Sequence, residues 1–460
     1  MKTPAHIFRE YDVRGLVEED LTDDLVRALG RAYATYMRRA TGSERPALAV
    51  GWDVRPSSER LRDRLAEGMV AAGARVLDIG LVPTPVLYYA CHRLETAGGV
   101  MITGSHNPPE YNGFKLGHRD LPLSGAEIQA VRQLIEAEDL ETGDGTLEER
   151  PVTDEYCDMV AAKILLARPV SVVLDPANAT GALFAGDLLE RVGARVDRMF
   201  DDVDGTFPNH HPDPTVDAYV VDLRRRVAET SAEAGIGLDG DCDRIGAVDD
   251  QGRLVRGDQL TAIFARDQLR RTPGAPILFD VKSSRALEED IRAHGGRPVM
   301  WKTGHSLAKQ KMKEDGIPFG GEMSGHLFFF DDYWGFDDAI FAACRLCEIL
   351  SRSEQSLAQM VDSLKRYFST PEVRLETTEE KKWQLVSEAQ EWFGSRYDTV
   401  DIDGVRVKFD RGWALLRASN TQPVVVLRAE GGSAEDLERI KVEIASFLAS
   451  QGLDGIPWNG

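Results

Sequence analysis

The sequence predicts an α/β fold made of three similar α/β units and a smaller C-terminal α+β domain. Three observations predict it. The chain has 460 residues, too many for one compact core. Apolar strand-like runs alternate with helical periodicity through most of its length. After about residue 366 the pattern changes to shorter, more charged strands.

The elements follow in order. In residues 22–40 apolar side chains recur at helical spacing after a Thr/Asp start, 47–51 is a short buried-type strand, and 57–72 is helical again. Residues 75–79 read as strand, 84–94 as helix and 99–103 as strand. Residues 142–149, with Gly143, Gly145 and several acids, have the composition of a linker and close a first domain at 1–148. The second, 149–253, has helices at 153–166 and 182–192 and strands at 170–174, 234–238 and 245–248. The third, 254–366, has strands at 277–281 and 299–302 and helices at 285–294 and 306–315. The last, 367–460, has strands at 405–409 and 424–429 and a final helix at 434–448. No sequence repeat relates the three α/β units.

Charged residues make up 28% of the chain, and no apolar run approaches the ~18 residues of a membrane span. A net charge of −21 without a basic stripe argues against a nucleic-acid groove. Residues 1–15 lack the apolar segment of a secretory signal, so the cytoplasm is the expected location. Of the five cysteines, Cys344 and Cys347 form a C-x-x-C. They fall in a helical pattern over 337–350 with no second pair to complete a zinc site, and are expected to be buried helix-face thiols.

Four loops stand out against this acidic background. Thr103-Gly104-Ser105-His106-Asn107-Pro108 ends a strand, with Gly104 expected to permit an unusual backbone and Pro108 to extend Asn107. Ser105 is a nucleophile only if assisted, and His106 and Lys115 are the nearby candidates for proton handling or charge. Read alone, the loop is a turn. Asp239-Gly240-Asp241-Cys242-Asp243-Arg244 lies between two apolar strands. Carboxylates at i, i+2 and i+4 can share one side of an extended segment, and Gly240 is expected to let the chain curl until they converge. Such hard oxygen ligands suit Mg²⁺.

Gly235, Gly237 and Gly240 spell G-x-G-x-x-G but precede a strand rather than a helix, so the dinucleotide fingerprint lacks its context. Arg244 and Asp250 stand where an EF-hand needs Gly and Glu. With no P-loop, a nucleotide-donor phosphotransferase has no phosphate cradle.

In Gly321-Glu322-Met323-Ser324-Gly325-His326, Glu322 and Ser324 offer an acceptor and a donor to vicinal hydroxyls; an ordinary hairpin would use the same glycines. Upstream, Lys302-Thr303-Gly304-His305-Ser306 opens a helix, whose N-terminus favours anions. Arg417-Ala418-Ser419-Asn420-Thr421-Gln422-Pro423 gathers one guanidinium, two hydroxyls and an amide. It is a compact oxyanion site or a polar turn.

In this order the four motifs resemble those of the α-D-phosphohexomutase superfamily, in particular its bacterial phosphomannomutase/phosphoglucomutase branch, over nearly the whole chain. The resemblance implies four domains around a central cleft, each lending one loop. It implies a phosphoserine at Ser105, Mg²⁺ held by Asp239, Asp241, Asp243 and that phosphoserine, and sugar hydroxyls held by Glu322 and Ser324. Arg417, Ser419, Asn420 and Thr421 would hold the non-transferring phosphate. Tyr11, Arg14, Lys115, Arg244, Lys282, His305 and His326 would line the cleft, with Lys115, His305 and His326 as proton-transfer candidates.

The implied activity interconverts hexose 1- and 6-phosphates of mannose and/or glucose through a bound 1,6-bisphosphate, with glucose 1,6-bisphosphate as the activator that phosphorylates Ser105. Met323 matches the glucose/mannose branch, where phosphoglucosamine mutases usually have Gln. The alternatives are a phosphoglucosamine mutase and a non-catalytic sugar-phosphate-binding relative. The implied partners are hexose phosphates, with no nucleic acid or membrane, for a monomer or weak homodimer.

Overall fold

The computed structural model describes residues 1–420, 422–453 and 455–458, and the chain divides into two compact units. One comprises Met1–Leu260 with Ser324–Met360; the other comprises Thr261–Met323 with Val361–Gly460.

The first unit holds two sheets. One has the strand order Val13–Leu16, Tyr111–His118, Gly98–Ile102, Ala47–Trp52, Arg75–Leu81, Thr146–Glu149. Its centre is parallel, Ala47–Trp52 pairing with both Arg75–Leu81 and Gly98–Ile102. Helices such as Asp23–Thr41 and Ser58–Ala71 cover it, and Gly98–Ile102 is buried along its whole length. That burial explains why this strand reads as a continuous apolar run. Thr22 caps Asp23–Thr41 by accepting from the amide of Leu25, at the start the sequence predicts.

The supposed linker at 142–149 is not one. It contains Thr146–Glu149, paired in parallel with Arg75–Leu81 at the sheet edge. This strand is largely solvent-exposed, so it needs no apolar face and its composition mimics a loop.

The second sheet has the order Leu254–Val255, Ile245–Asp249, Ala234–Leu238, Ser171–Asp175, Arg195–Arg198. Ala234–Leu238 and Ile245–Asp249 form an antiparallel hairpin buried at every position, and residues 239–244 are the loop at its tip. A loop on two buried strands is rigidly aimed.

Cys344 and Cys347 lie buried on the helix Ala339–Arg352, and burial pushes the Cys347 thiol up to about 12. Such thiols are inert, as the helical spacing predicts.

In the second unit, Arg297–Trp301, Pro276–Asp280 and Phe319–Gly321 pair in parallel beside Arg285–Ala293 and His305–Asp315. The C-terminal part is antiparallel, in the order Phe368–Ser369, Val424–Gly431, Gly412–Ala418, Val405–Phe409, Asp398–Val400. Val373–Glu376 pairs with Val424–Gly431 as well, and Glu379–Gly394 and Ala434–Ser450 pack on this sheet. The architecture is the expected α/β followed by α+β. No helix among the described residues is long and apolar enough to cross a membrane.

Asp338 ties the first unit together. It accepts hydrogen bonds from the Phe341 amide (2.8 Å), Tyr333 Oη (2.6 Å) and Tyr156 Oη (2.8 Å). Burial pushes its carboxyl from 3.8 up to about 6 against the pull of these donors. The folded chain therefore holds this proton more tightly than the unfolded chain. That contribution to stability is full below about pH 4 and is lost as pH rises through about 6. Relative to Asp338→Asn, wild type should lose about 3 kcal/mol of unfolding free energy between about pH 4 and pH 7, read from urea unfolding. A difference independent of pH contradicts this.

Candidate active site

Ser105 follows the buried strand Gly98–Ile102 and is itself only 2% exposed. The unusual backbone expected at Gly104 sits one residue later, since Ser105 has φ 49°. A non-glycine residue held there costs about 1–2 kcal/mol. Gly104 is needed for close approach instead, because a Cβ at that position would stand 2.6 Å from Cζ of Arg55. Ser105 Oγ lies 3.0 Å from Asp239 Oδ2 and 3.2 Å from His106 Nδ1. Burial, with Arg244 and Arg14 nearby, drives the His106 pKa well below its usual value, so this imidazole is neutral.

Asp239, Asp241 and Asp243 converge as the spacing predicts, one carboxylate oxygen from each lying within 4.8 Å of the others, all buried. The curl does not come from Gly240. Cys242 carries the left-handed conformation at φ 60°. Gly240 is needed for contact, because a Cβ there would meet the Ser105 carbonyl oxygen at 2.2 Å. The aspartate loop thus presses directly on the serine loop.

Lys115 Nζ lies 2.6 Å from Asp241 Oδ2 and 2.5 Å from Asp243 Oδ2, and Thr84 Oγ1 donates to Asp241 Oδ2 at 2.5 Å. Asp239 Oδ1 accepts from the amides of Asp243 and Arg244, each at 3.0 Å. Asp241 Oδ1 is buried with no hydrogen-bond partner among the described residues, while Asp243 Oδ1 makes ion-pair contacts with His326 Nε2 (3.4 Å) and Arg244 Nε (3.9 Å).

Charge in the cluster divides unevenly. Burial and the two neighbouring carboxylates push Asp239 well above the usual range. Burial also pushes Asp243 up, but Lys115, His326 and Arg244 pull harder and hold it well below. Three buried carboxylates, one with an oxygen that has no hydrogen-bond partner among the described residues, make a donor set that fits a hard divalent cation.

Arg244 Nε donates to His326 Nε2 (3.3 Å), and His326 Nδ1 lies 2.9 Å from Ser324 Oγ. Arg14 donates to Asn107 Oδ1 (2.9 Å) and pairs with Asp12 (2.5 Å). Tyr11 is half-buried in the turn closed by the Phe8–Val13 bridge. The first unit therefore brings together Ser105, His106, Lys115, Arg14, Arg244, Ser324, His326 and the three aspartates.

The second unit carries the rest. Glu322 Oε1 accepts from the Gly304 amide at 2.6 Å, which anchors the start of His305–Asp315. Arg417 Nε donates to Asp403 Oδ2 at 3.0 Å, and the same oxygen accepts from the Thr303 amide at 3.0 Å. Lys282 pairs with Glu372 at 3.2 Å and holds that carboxyl down at about 2. Buried Lys382 donates to the Ser419 carbonyl at 2.8 Å, and half-buried Asn420 follows. Thr421 lies outside the described residues.

Four family models match the chain in order: phosphoglucomutase/phosphomannomutase α/β/α domains I (residues 5–142), II (154–252) and III (256–367), and the C-terminal domain (372–447). The chain is also 44% identical over 448 residues to a phosphomannomutase/phosphoglucomutase of Pseudomonas aeruginosa, covering 97% of this chain and 96% of the relative. The chain belongs to the phosphoglucomutase/phosphomannomutase family.

Within that family it is 40% identical over 449 residues to a phosphoglucomutase of Neisseria meningitidis, covering 96% and 97% of the two chains. A crystal structure of a phosphoglucomutase/phosphomannomutase family protein from Burkholderia thailandensis superposes at a TM-score of 0.93. Its identity is 39%, with 99% of this chain and 100% of that one covered. The chain is a hexose phosphate mutase, a phosphotransferase of the α-D-phosphohexomutase superfamily.

Sequence reasoning missed several members of this mutase's site. Asp53 and Arg55 follow the strand Ala47–Trp52, and an acid and a base two apart beside a buried strand were a readable signal. Thr84, Asp403 and Lys382 gave none: each is a common residue with a partner far along the chain, Asp241, the Thr303 amide and the Ser419 carbonyl.

The contact at Gly240 is open to test. Gly240→Ala should lower stability by about 1–3 kcal/mol through overpacking and reduce turnover on the order of 100-fold by displacing the serine loop. Thermal melting and a glucose 1-phosphate assay read the two effects; wild-type turnover contradicts the contact.

Proposed function

We propose that this mutase interconverts the 1- and 6-phosphates of glucose and mannose by passing a phosphoryl group through Ser105 and a bound hexose 1,6-bisphosphate. The observation that carries the reading is Ser105 Oγ, set 3.0 Å from Asp239 at the mouth of three buried carboxylates.

Phosphorylated Ser105 gives its phosphoryl group to the free hydroxyl of a hexose monophosphate. The Oγ–P bond breaks, a bond from sugar oxygen to phosphorus forms, and the hydroxyl proton leaves to a base. The 1,6-bisphosphate then reverses end for end and returns its other phosphoryl group to Ser105. Arg244 steadies charge on the transferring group. Asp239, Asp241, Asp243 and the phosphoserine would hold Mg²⁺, which supplies charge neutralisation at the phosphoryl oxygens when bound. The convergence of the three carboxylates and Asp241 Oδ1, which has no hydrogen-bond partner among the described residues, support that assignment.

For proton transfer, Lys115, His305 and His326 are not equivalent. Burial lowers the Lys115 pKa, but Asp241 and Asp243 raise it by more, so this ammonium keeps its proton and serves as a fixed positive charge. His326 Nε2 faces both Arg244 Nε (3.3 Å) and Asp243 Oδ1 (3.4 Å), and its Nδ1 lies 2.9 Å from Ser324 Oγ, so either ring nitrogen can carry the hydrogen. His326 and His305 are the better candidates, since an imidazole can gain or lose a proton near neutral pH.

Glu322 and Ser324 would hold the 3- and 4-hydroxyls. Glucose and mannose differ at the 2-hydroxyl, so such a grip accepts both. Arg417, Ser419, Asn420 and Thr421 would hold the phosphate that stays on the sugar, with Tyr11, Arg14, Lys282 and His305 completing the binding set. The reading draws one loop from each of four domains, 1–148, 149–253, 254–366 and 367–460. It places a monomer or weak homodimer in the cytoplasm, without nucleic acid or membrane, and takes glucose 1,6-bisphosphate as the activator.

Intact mass after exposure to glucose 1,6-bisphosphate and Mg²⁺ should show one added phosphoryl group on wild type and none on Ser105→Ala. An unmodified wild type sinks the reading. Asp241→Ala should lose more than about 100-fold of Mg²⁺-dependent turnover, and full activity there removes the metal assignment.

A further inference from the structure

Arg55 stands behind the nucleophile rather than in front of it. Its side chain is fully buried, and all five guanidinium hydrogens are used. Nη2 donates to the carbonyls of Ser105 (2.9 Å) and Asn107 (2.5 Å). Nη1 donates to those of Pro108 (2.6 Å) and Tyr111 (2.9 Å), and Nε to Asp53 Oδ2 (3.1 Å). Three of these acceptors come from the serine loop, and the fourth, Tyr111, opens the strand Tyr111–His118 that follows it. Asp53 fixes the other side, accepting from the backbone amides of Arg55 (3.0 Å) and Gly104 (3.3 Å).

The loop held this way is the strained one. Ser105 at φ 49° persists only where its surroundings over-determine it. Its carbonyl is wedged between Nη2 of Arg55 and the place a Gly240 Cβ would occupy, 2.2 Å away. The clamp also reaches the second sheet's portion of the unit. The Arg55 guanidinium lies over the Phe207 ring, 5.0 Å from its centroid, and a Cβ on Gly205 would meet the Val54 carbonyl at 2.1 Å. A lysine has neither the planar fork nor the donors to repeat this pattern.

We propose that Arg55 is the positioning residue of the nucleophile: its spent guanidinium, capped by Phe207, holds the Ser105 backbone in the one conformation that aims Oγ at the aspartate trio. The inference rests on the reading of Ser105 as the phosphoryl carrier. Arg55 touches no reacting atom. Its effect is on the rate at which Ser105 gains and gives up its phosphoryl group, not on how tightly sugar phosphate or cation binds.

The test is single-turnover phosphorylation by glucose 1,6-bisphosphate and Mg²⁺, followed by intact mass for wild type, Arg55→Lys and Phe207→Leu, with bisphosphate affinity and melting temperature measured alongside. Arg55→Lys should fold, keep its bisphosphate affinity and lose on the order of 100-fold in phosphorylation rate. Phe207→Leu keeps the hydrogen bonds but removes the ring, and should lose about fivefold. A folded Arg55→Lys that phosphorylates at the wild-type rate overturns the proposal. So does a loss explained wholly by weaker bisphosphate binding. Should Arg55→Lys not fold, Phe207→Leu decides by the same readout, a wild-type rate again overturning it. A wild type that takes up no phosphoryl group faults the Ser105 reading instead, which keeps the two failures apart.

Discussion

The first unit is organised around one buried ammonium. Lys115 Nζ bridges Asp241 and Asp243 from a strand of the first sheet to the hairpin tip of the second. Taking three carboxylates out of water costs several kcal/mol each, and one lysine cannot offset them all. The imbalance shows in Asp239, which burial and the two neighbouring carboxylates push well above the usual range, and in Asp241 Oδ1, which has no hydrogen-bond partner among the described residues. A chain that keeps such a cluster is built to receive positive charge. A cation that binds only the folded chain stabilises it, by about 2.7 kcal/mol at a hundredfold excess over its Kd.

The backbone around the cluster serves that constraint. Strands of the two sheets end at the loops bearing Ser105 and the aspartates, so both loops are aimed by buried, inextensible elements. Gly240 lets the loops touch, Arg55 grips one from behind, and Thr84 closes on Asp241. Strain at Ser105 and Cys242 is stored where two loops meet. The second unit follows the same economy on a smaller scale, with Asp403 joining the Thr303 amide to Arg417 and Lys382 pinning the Ser419 carbonyl.

Much of this was legible in the sequence because periodicity reports burial. Ala234–Leu238 and Val405–Phe409 have the bounds their apolar runs suggest, since buried strands between polar turns leave little choice. Thr146–Glu149 was misread as a linker because an exposed edge strand carries no apolar face. Helix Glu379–Gly394 escaped notice because its buried face is broken by Lys382. The aspartate trio and Ser105 were named from chemistry alone, but the roles of the glycines beside them were not. A sequence states that glycine is tolerated; only coordinates tell whether the reason is a torsion or a neighbour 2.2 Å away. Thr84 went unnamed because a contact across 157 residues leaves no local pattern, whereas Arg55 stands two residues from Asp53 and was passed over despite that signal.

At the centre stands the claim that the three aspartates and the phosphorylated Ser105 act as one cation site. Calorimetric titration of Mg²⁺ into the dephosphorylated chain and into the Ser105-phosphorylated chain tests it most directly. Phosphorylation should tighten Mg²⁺ on the order of tenfold or more, because a phosphoryl oxygen joins the three carboxylates, and binding and phosphorylation must then favour each other reciprocally. Equal affinity in the two forms, or binding undiminished by Asp241→Ala, contradicts the claim.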